Sequence, residues 1–316
     1  MKVREVLGHG ARVLRERGVE NPQLDSAVLL ACAMDLSRDA VYIAAGREVP
    51  PDRLSLYGKM ISRRCRREPI QYITGTREFM SLELAVRPGV LVPRPETEIL
   101  VEVAVELALD ALASRRSGNR GDQGSFCAGP GNVGRGGQYI MADIGTGSGA
   151  MAIALARLIG PRAGDGGLLV FATDISDEAL AIARENVNSY GLGEQVLLVQ
   201  GDLWAPLAGR GLESGIDAVV SNPPYIRHDE MATLPDEVGL YEPGVALDGG
   251  VDGLYFYRRI VVEAWRFLRS GGFLALEVGS GQALHVMSLM AASGLARCAT
   301  RRDLAGIERV VFGFRE

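Results

Sequence analysis

From residue 139 onward, short apolar runs alternate with amphipathic stretches, and this alternation restricts the fold more than any other feature. "YIMADIG", "LLVFATDI", "VLLVQGD", "IDAVVSN", "FLALEVG" and "ERVVFGFRE" read as strands. "GAMAIALARLIG", "SDEALAIARENVNSYG" and "GLYFYRRIVVEAWRFLRSGG" read as helices between them. Near-continuous apolar strands are covered on both faces, and crossover helices provide that cover. The expectation is an α/β fold: a doubly wound, mainly parallel sheet with helices on both faces. Ligands of such sheets bind beyond the carboxyl ends of the strands.

Those strand ends carry a pattern. The first runs into "DIGTGSG", Asp143 to Gly149, which opens a helix. Gly145, Gly147 and Gly149, alternating with Thr146 and Ser148, let backbone amides approach a ligand beside a helix N-terminus. The spacing differs from the GxGxxG that cradles a pyrophosphate, and the leading acid suits a cationic, phosphate-free ligand. Asp174 ends the second strand, where an acid accepts the hydroxyls of a ribose. Ser176 is expected to cap the following helix and so leave Asp174 to the ligand. Asp202 ends the third strand, placed to accept an adenine amino group, with Leu203 or Trp204 over the ring. Taken singly, each has a bland reading: a tight turn, a cap, a turn-forming Asp. Together they describe a pocket for a nucleoside bearing positive charge. S-adenosyl-L-methionine has these features, and here the sequence resembles class I (Rossmann-like) methyltransferases.

The fourth strand ends in "SNPPY", where two prolines stop the ladder. Asn222-Pro223-Pro224-Tyr225 resembles the motif of enzymes that methylate a planar NH2 group, in glutamine amides or DNA bases. The lone pair of such a nitrogen is delocalised. Two acceptors aimed at its two N–H groups hold it and favour pyramidalisation. The Asn222 side-chain carbonyl is one acceptor and the Pro223 main-chain carbonyl the other. Pro224 stiffens the turn, and Tyr225 offers a ring face to the planar group. Orientation and preorganised acceptors then supply most of the rate. His228, the nearby group titrating near neutrality, is left out of this mechanism.

Nearly the whole chain resembles the PrmC/HemK family, the protein-(glutamine-N5) methyltransferases of peptide-chain release factors. The segments that carry the resemblance are "PIQYITGTREF", "VLVPRPETEILVE", "DIGTGSGAMAIALA", "SNPPYI", "YEPGVALDGGVDGLYFYRRI" and "AGIERVV". "PRPETE" and "EPGVALDGG" are far more specific to the family than the glycine turn. The resemblance implies a small N-terminal all-α domain, a β-hairpin linker and a methyltransferase domain. It implies a substrate glutamine in a Gly-Gly-Gln loop, and S-adenosyl-L-methionine as donor, leaving as S-adenosyl-L-homocysteine, with no metal. It places Gly145, Thr146, Gly147, Asp174, Asp202, Leu203 and Asn222 on the cofactor side and Asn222 to Tyr225 on the glutamine.

The residues themselves suggest the same organisation. Residues 1–70 read as helical and substrate-recognising. "NPQLDSAVLLACAM" opens with Asn21 as a cap and Pro22 in the first turn, where proline is tolerated. Residues 71–95 read as a linker holding a hairpin, Arg77–Met80 against Leu82–Val86. Residues 96–316 read as the methyltransferase domain, its first helix running from about Pro95 to Ala113. Within it 114–138 holds 8 glycines in 25 positions, read as a flexible insertion.

Charge separates the alternatives. The net charge is −5, so non-specific polyanion binding is not the default. Residues 1–70 hold 13 Lys and Arg against 9 Asp and Glu, leaving 21 against 30 in the rest. The competing reading, a DNA adenine-N6 methyltransferase, uses the same Asn-Pro-Pro-Tyr motif but needs a basic recognition surface. The catalytic half is acidic, so no direct DNA binding is expected. A non-catalytic adenosylmethionine-binding protein has no need for acceptors aimed at an NH2. Arg63, Arg64, Arg66 and Arg67 read as a solvated helix face; the sharper reading is a contact patch for an RNA-rich or acidic partner. Cys32, Cys65, Cys127 and Cys298 are scattered without metal spacing, and no apolar run spans a membrane. The expectation is a soluble, cytoplasmic enzyme.

Overall fold

The computed structural model describes residues 1–116 and 137–316. Most of the glycine-rich stretch expected to be an insertion, 117–136, therefore lies outside the described residues. The chain divides into two units. One comprises Met1–Thr76, Val86–Pro88 and Thr233–Glu242; the other comprises Arg77–Ala85, Gly89–Ala232 and Pro243–Glu316.

The first unit is helical. Its three long helices, Val3–Glu16, Pro22–Met34 and Pro51–Arg64, fall where helical spacing was read, and Arg38–Ile43 and Ile70–Thr74 add shorter turns. The first helix buries Val3, Val6, Gly10 and Leu14, one stripe at helical spacing. Gly10 is required by packing: a Cβ there would come within 1.8 Å of the Tyr57 hydroxyl. That hydroxyl is 2.8 Å from Ser26 Oγ, which in turn donates to the Leu7 carbonyl. Asn21 stands at the N-cap position, but its side chain accepts no capping bond. Pro22, which has no N–H to satisfy, carries the helix start instead.

The arginine cluster departs from a solvated face. Arg64 is 6% exposed; its Nε donates to Asp25 (2.7 Å), and its Nη2 lies 2.9 Å from Glu237. Arg67 reaches the same Glu237 and the Gly18 carbonyl, and Arg63 pairs with Glu68. These charges are spent inside the unit, joining the fourth helix to the segment 233–242. Removing one partner of a buried pair strands the other, at a cost of about 3 kcal/mol or more. Arg64→Ala is therefore expected to lower the urea midpoint of this unit's unfolding; an unchanged midpoint would restore the solvated-face reading.

The second unit opens with a hairpin of β1 (Thr76–Phe79) and β2 (Leu82–Ala85). Its turn is Met80-Ser81, both at left-handed φ of 50° and 60°, the requirement of a type I′ turn that Asn-Gly usually meets. Glu98 compensates by accepting the Met80 N–H (2.7 Å). The helix Pro95–Arg116 follows, and then the sheet strands β3 (Tyr139–Ile144), β4 (Leu168–Asp174), β5 (Val196–Gln200), β6 (Ile216–Ser221), β7 (Leu268–Glu277), β8 (Leu295–Arg302) and β9 (Glu308–Arg315). Their order is β5-β4-β3-β6-β7-β9-β8. The first five are parallel, while β9 is antiparallel to both β7 and β8. The doubly wound sheet is thus as expected, with one added strand, β8.

β3 and β6 are buried at every position. Met141, Val170 and Val220 pack under the helices Pro95–Arg116 and Ala150–Ile159. Ile140, Ala142 and Val219 pack under Tyr255–Phe267 and Ala283–Ala292. Successive side chains point to opposite faces, so two cores clamp one sheet. The chain order reverses between β3 and β6, the switch point where a crevice opens.

Candidate active site

Strand register brings the sequence-predicted residues together. Ile144 pairs with Thr173 of β4 on one side and Ser221 of β6 on the other. Asp174 pairs with Gln200 of β5. Asp202, Asp174, Gly145 and Asn222 therefore stand in a row on four adjacent strand ends, across roughly 14 Å at ~4.8 Å per strand.

The glycine turn is held from within. Asp143 is fully buried; its Oδ2 accepts from the Thr146 hydroxyl (2.6 Å) and the Ala152 N–H (3.1 Å). The Gly145 and Thr146 amides donate to the Thr173 carbonyl, and the Gly147 amide donates to Asp174 Oδ2. These three amides shape the loop rather than wait for a ligand, contrary to the sequence reading. Gly145 and Gly147 have φ of 76° and 57°, and a Cβ on either would meet nothing within 4 Å. Glycine is required there by conformation, and the backbone borders open space. Asp143 Oδ1 is buried without a partner, and burial pushes the group up to about 7.

Asp174 is less free than the sequence implied. Ser176 does cap the helix, accepting from the Ala179 N–H. Asp174 nonetheless accepts from the Ser176 N–H (2.9 Å) as well as from Gly147. Each carboxylate oxygen keeps a second lone pair, so the group is oriented rather than consumed. Burial raises it above the ordinary carboxylate range, and the backbone donors oppose that. Asp202 also differs from a lone acceptor: Arg259 pairs with its Oδ2 at 2.5 Å. Of the two candidates beside it, Trp204 belongs to the core. It is 5% exposed, stacks on Phe267 at 4.8 Å and donates to the Ile260 carbonyl. Leu203 is half-buried at a left-handed φ of 48°. A cavity of about 390 Å³ opens beside Asp202 and Leu203 along Arg259 and Val262; none of Gly145 to Gly149 and no part of the Asn222 turn lines it.

The Asn-Pro-Pro-Tyr turn leaves β6 beside the glycine turn, and the Ser221 hydroxyl donates to the Ile144 carbonyl (2.6 Å). Asn222 Nδ2 donates to Thr97 Oγ1 (3.1 Å), so Oδ1 is the end left to accept. Tyr225 Oη lies 3.5 Å from Glu277 Oε1, and burial lifts its phenol to about 12. Behind the turn lies the "ALDGG" segment. Ile226 N–H donates to the Leu247 carbonyl and Gly249 N–H to the Ile226 carbonyl. Gln282 Nε2 donates to the Tyr225 carbonyl (3.0 Å). His228 pairs with Asp248 at the surface.

Several residues went unrecognised as contributors. Thr97 lay inside the quoted "PRPETE", and Glu277 is the lone acid of "FLALEVG", a signal available in sequence. Asn186 gave none: it is buried, and it joins the Ala85 backbone to the Ser148 carbonyl through three bonds.

Oriented Asp174, open space over Gly145 and Gly147, and the unpartnered Asp143 oxygen fit a nucleoside bearing positive charge. Fold and site together define an S-adenosylmethionine-dependent methyltransferase of class I. The solved hMettl16 catalytic domain, in complex with a 3′UTR hairpin, shares the fold at TM-score 0.52 and 15% identity, covering 80% of this chain and 81% of that one. Residues 5–75 match the PrmC N-terminal domain, and 141–238 match a methyltransferase domain. The release factor glutamine methyltransferase of Moorella thermoacetica is 41% identical over 316 residues, 100% of this chain and 99% of the relative. That of Geobacter sulfurreducens is 38% identical over 311 residues, 98% and 96% of the two chains. The chain belongs to the release factor glutamine methyltransferase family, as its motifs suggested. Among the described residues no helix is long and apolar enough to cross a membrane.

Proposed function

We propose that this enzyme methylates the side-chain amide nitrogen, N5, of the glutamine in the Gly-Gly-Gln loop of a peptide-chain release factor. The observation that carries this reading is the Asn222 amide, tied by its nitrogen to Thr97 with its oxygen left over, beside the glycine turn. S-adenosyl-L-methionine, when bound, supplies the methyl group. The backbone of Gly145 to Gly149 shapes the floor of its site, Asp174 accepts the ribose hydroxyls, Asp202 borders the adenine, and Leu203 covers the ring. Asn222 Oδ1 and the Pro223 carbonyl each accept one N–H of the glutamine amide. Pro224 fixes the turn, and the Tyr225 ring lies against the amide plane. The helical unit recognises the release factor, in a cytoplasmic setting. No step assigned to these residues calls for a metal.

Purified protein with labelled S-adenosyl-L-methionine, offered release factor, a Gln→Ala loop variant of that factor, or DNA, tests the reading. Label is expected on the intact release factor alone. Label on DNA alone would establish the adenine-N6 alternative instead. Asp174→Ala is expected to weaken cofactor binding at least ~10-fold, which abolishes the cofactor-induced rise in Tm at modest ligand concentration. A full thermal shift in this variant would remove Asp174 from the cofactor site.

A further inference from the structure

The peptide group that follows the Asn-Pro-Pro-Tyr turn is held at both of its polar atoms. The Ile226 N–H donates to the Leu247 carbonyl (3.0 Å), and the Tyr225 carbonyl accepts from Gln282 Nε2 (3.0 Å). The first bond joins main chain to main chain. The second depends on one side chain. Gln282 stands at the N-cap of the helix Ala283–Ala292, a position that favours Ser, Thr, Asp or Asn, and its side chain makes no capping bond. It reaches across to the turn instead. Backbone groups whose roles cannot reverse set its orientation. The Gly279 N–H only donates, and it donates to Oε1 (3.0 Å). The Tyr225 and Gly253 carbonyls only accept, and they lie 3.0 and 3.3 Å from Nε2, which uses both of its protons. Tyr257 Oη is 3.4 Å from Oε1, but its single proton goes to the nearer Glu277 carbonyl (2.9 Å). A flipped amide would set an N–H against an N–H and an oxygen against two oxygens. The space is closed as well. A Cβ on Gly253 would lie 2.5 Å from the Tyr225 oxygen and 2.6 Å from Gln282 Nε2, and one on Gly279 would lie 2.8 Å from Oε1 and 3.0 Å from Tyr225 Cδ2.

We propose that Gln282 is a positioning residue for methyl transfer: by holding the Tyr225 carbonyl it fixes the peptide that follows the motif, and with it the Tyr225 ring and the aim of the Pro223 carbonyl. The inference rests on the glutamine-amide reading above. The near end of the turn is fixed by β6, where Ser221 pairs with Ile144 and its hydroxyl donates to the Ile144 carbonyl. The Pro224 ring locks its own φ. Between the Pro223 and Tyr225 carbonyls only Pro224 ψ and Tyr225 φ and ψ stay soft. Gln282 holds the far end of that span, so its bond converts a short, half-rigid turn into a fixed one. Without it the Tyr225 carbonyl loses its side-chain donor, and the peptide plane can rotate about the remaining Ile226 bond. A rotation of this kind moves the Tyr225 ring and the Pro223 oxygen and leaves the β3, β4 and β5 ends in place.

The test uses the full chain with saturating donor and release factor. Gln282→Met keeps the side-chain length and removes every bond. It is expected to lower kcat about 10²-fold, the scale of a misplaced reacting group, with donor affinity unchanged. Gln282→Glu keeps the acceptor for Gly279 and sets a second oxygen against the Tyr225 and Gly253 carbonyls. Only its protonated form restores a donor there, and the two carbonyl oxygens oppose its ionisation, raising it above the usual ~4.3. The ratio of Gln282→Glu to wild-type kcat is therefore expected to rise as pH falls, while the Gln282→Met ratio stays flat. Tyr257 and Tyr225 face the amide, both lifted by burial. Glu277 bonds each of them, and Arg227, beside Gly253, is paired to Asp229. All of these are common to variant and wild type and cancel in the ratio. Should Gln282→Met fail to fold, the Gln282→Glu ratio decides alone. An active wild type whose Gln282→Met variant keeps its kcat or loses donor affinity in parallel, or a Gln282→Glu ratio that is flat with pH, overturns this inference only. A wild type that leaves the release factor unmethylated overturns the glutamine reading and this inference with it.

Discussion

Asn222→Ala is expected to bind S-adenosyl-L-methionine as the wild type does and to lose about 10²–10³-fold in kcat for glutamine methylation. An amide nitrogen has little nucleophilicity while its lone pair is shared with the carbonyl. On the proposed reading the enzyme gains rate by holding both N–H groups on acceptors that favour pyramidal geometry. Deleting one preorganised hydrogen-bonding group of this kind costs roughly 3 kcal/mol in the transition state. On the proposed reading the donor sits on the β3, β4 and β5 ends, which this substitution does not touch. It also removes the Asn222 partner of the buried Thr97 oxygen, a cost of about 1 kcal/mol to stability that unfolding would record separately. Rapid-quench single turnovers with labelled donor, beside calorimetric titration of the donor, separate these effects. Unchanged turnover would refute the role of Asn222, and a parallel loss of donor affinity would move it to the cofactor side.

The sheet was legible because five of its strands are parallel and the central ones are buried, which needs near-continuous apolar runs that stand out against the helices. β8 was not, because "LARCATRR" is an edge strand with a charged, half-exposed pattern; pairing with β9 makes it a strand, and no local preference announces it. The hairpin strands were readable, yet the Met80-Ser81 turn carries neither the Asn nor the Gly that a type I′ turn favours. A long-range contact from Glu98 holds its positive φ values, and sequence windows do not see such contacts. The strand-end acids were found by position, and their electrostatics were misjudged for a related reason. Arg259 against Asp202 and the Gly147 donor on Asp174 come from segments 57 and 27 residues away. Motif reading located the Asn-Pro-Pro-Tyr turn but not Thr97 or Glu277, since single side-chain contacts to Asn222 and Tyr225 from distant segments leave no periodicity.

Gly249→Ala is expected to cost about as much activity as a change in the motif itself, although Gly249 lies behind the turn. Its φ demands no glycine; the space does. A Cβ there would lie 2.6 Å from Tyr225 Cα, 2.8 Å from Tyr225 C and 2.9 Å from the Pro224 oxygen, against ~3.5–4.0 Å for ordinary contact. All three are backbone atoms, so no rotamer change relieves the overlap. Retreat of the glycine segment is restrained by the bonds between Ile226 and Leu247 and between Gly249 and Ile226, at 3.0 and 2.7 Å. The Pro224–Tyr225 backbone must therefore move by about 1 Å, and misplacement on that scale costs on the order of 10²-fold. The effect is expected in kcat with release factor, with donor affinity kept and stability lowered by about 1–3 kcal/mol, as for an overpacked site. Gly244→Ala, in the same segment with nothing within 4 Å of the new Cβ, is the control and is expected to match wild type. Equal losses in the two variants would assign the effect to the segment's flexibility rather than to contact with the turn. Full activity in Gly249→Ala would show that the turn tolerates displacement and that its two carbonyls need no such exact aim.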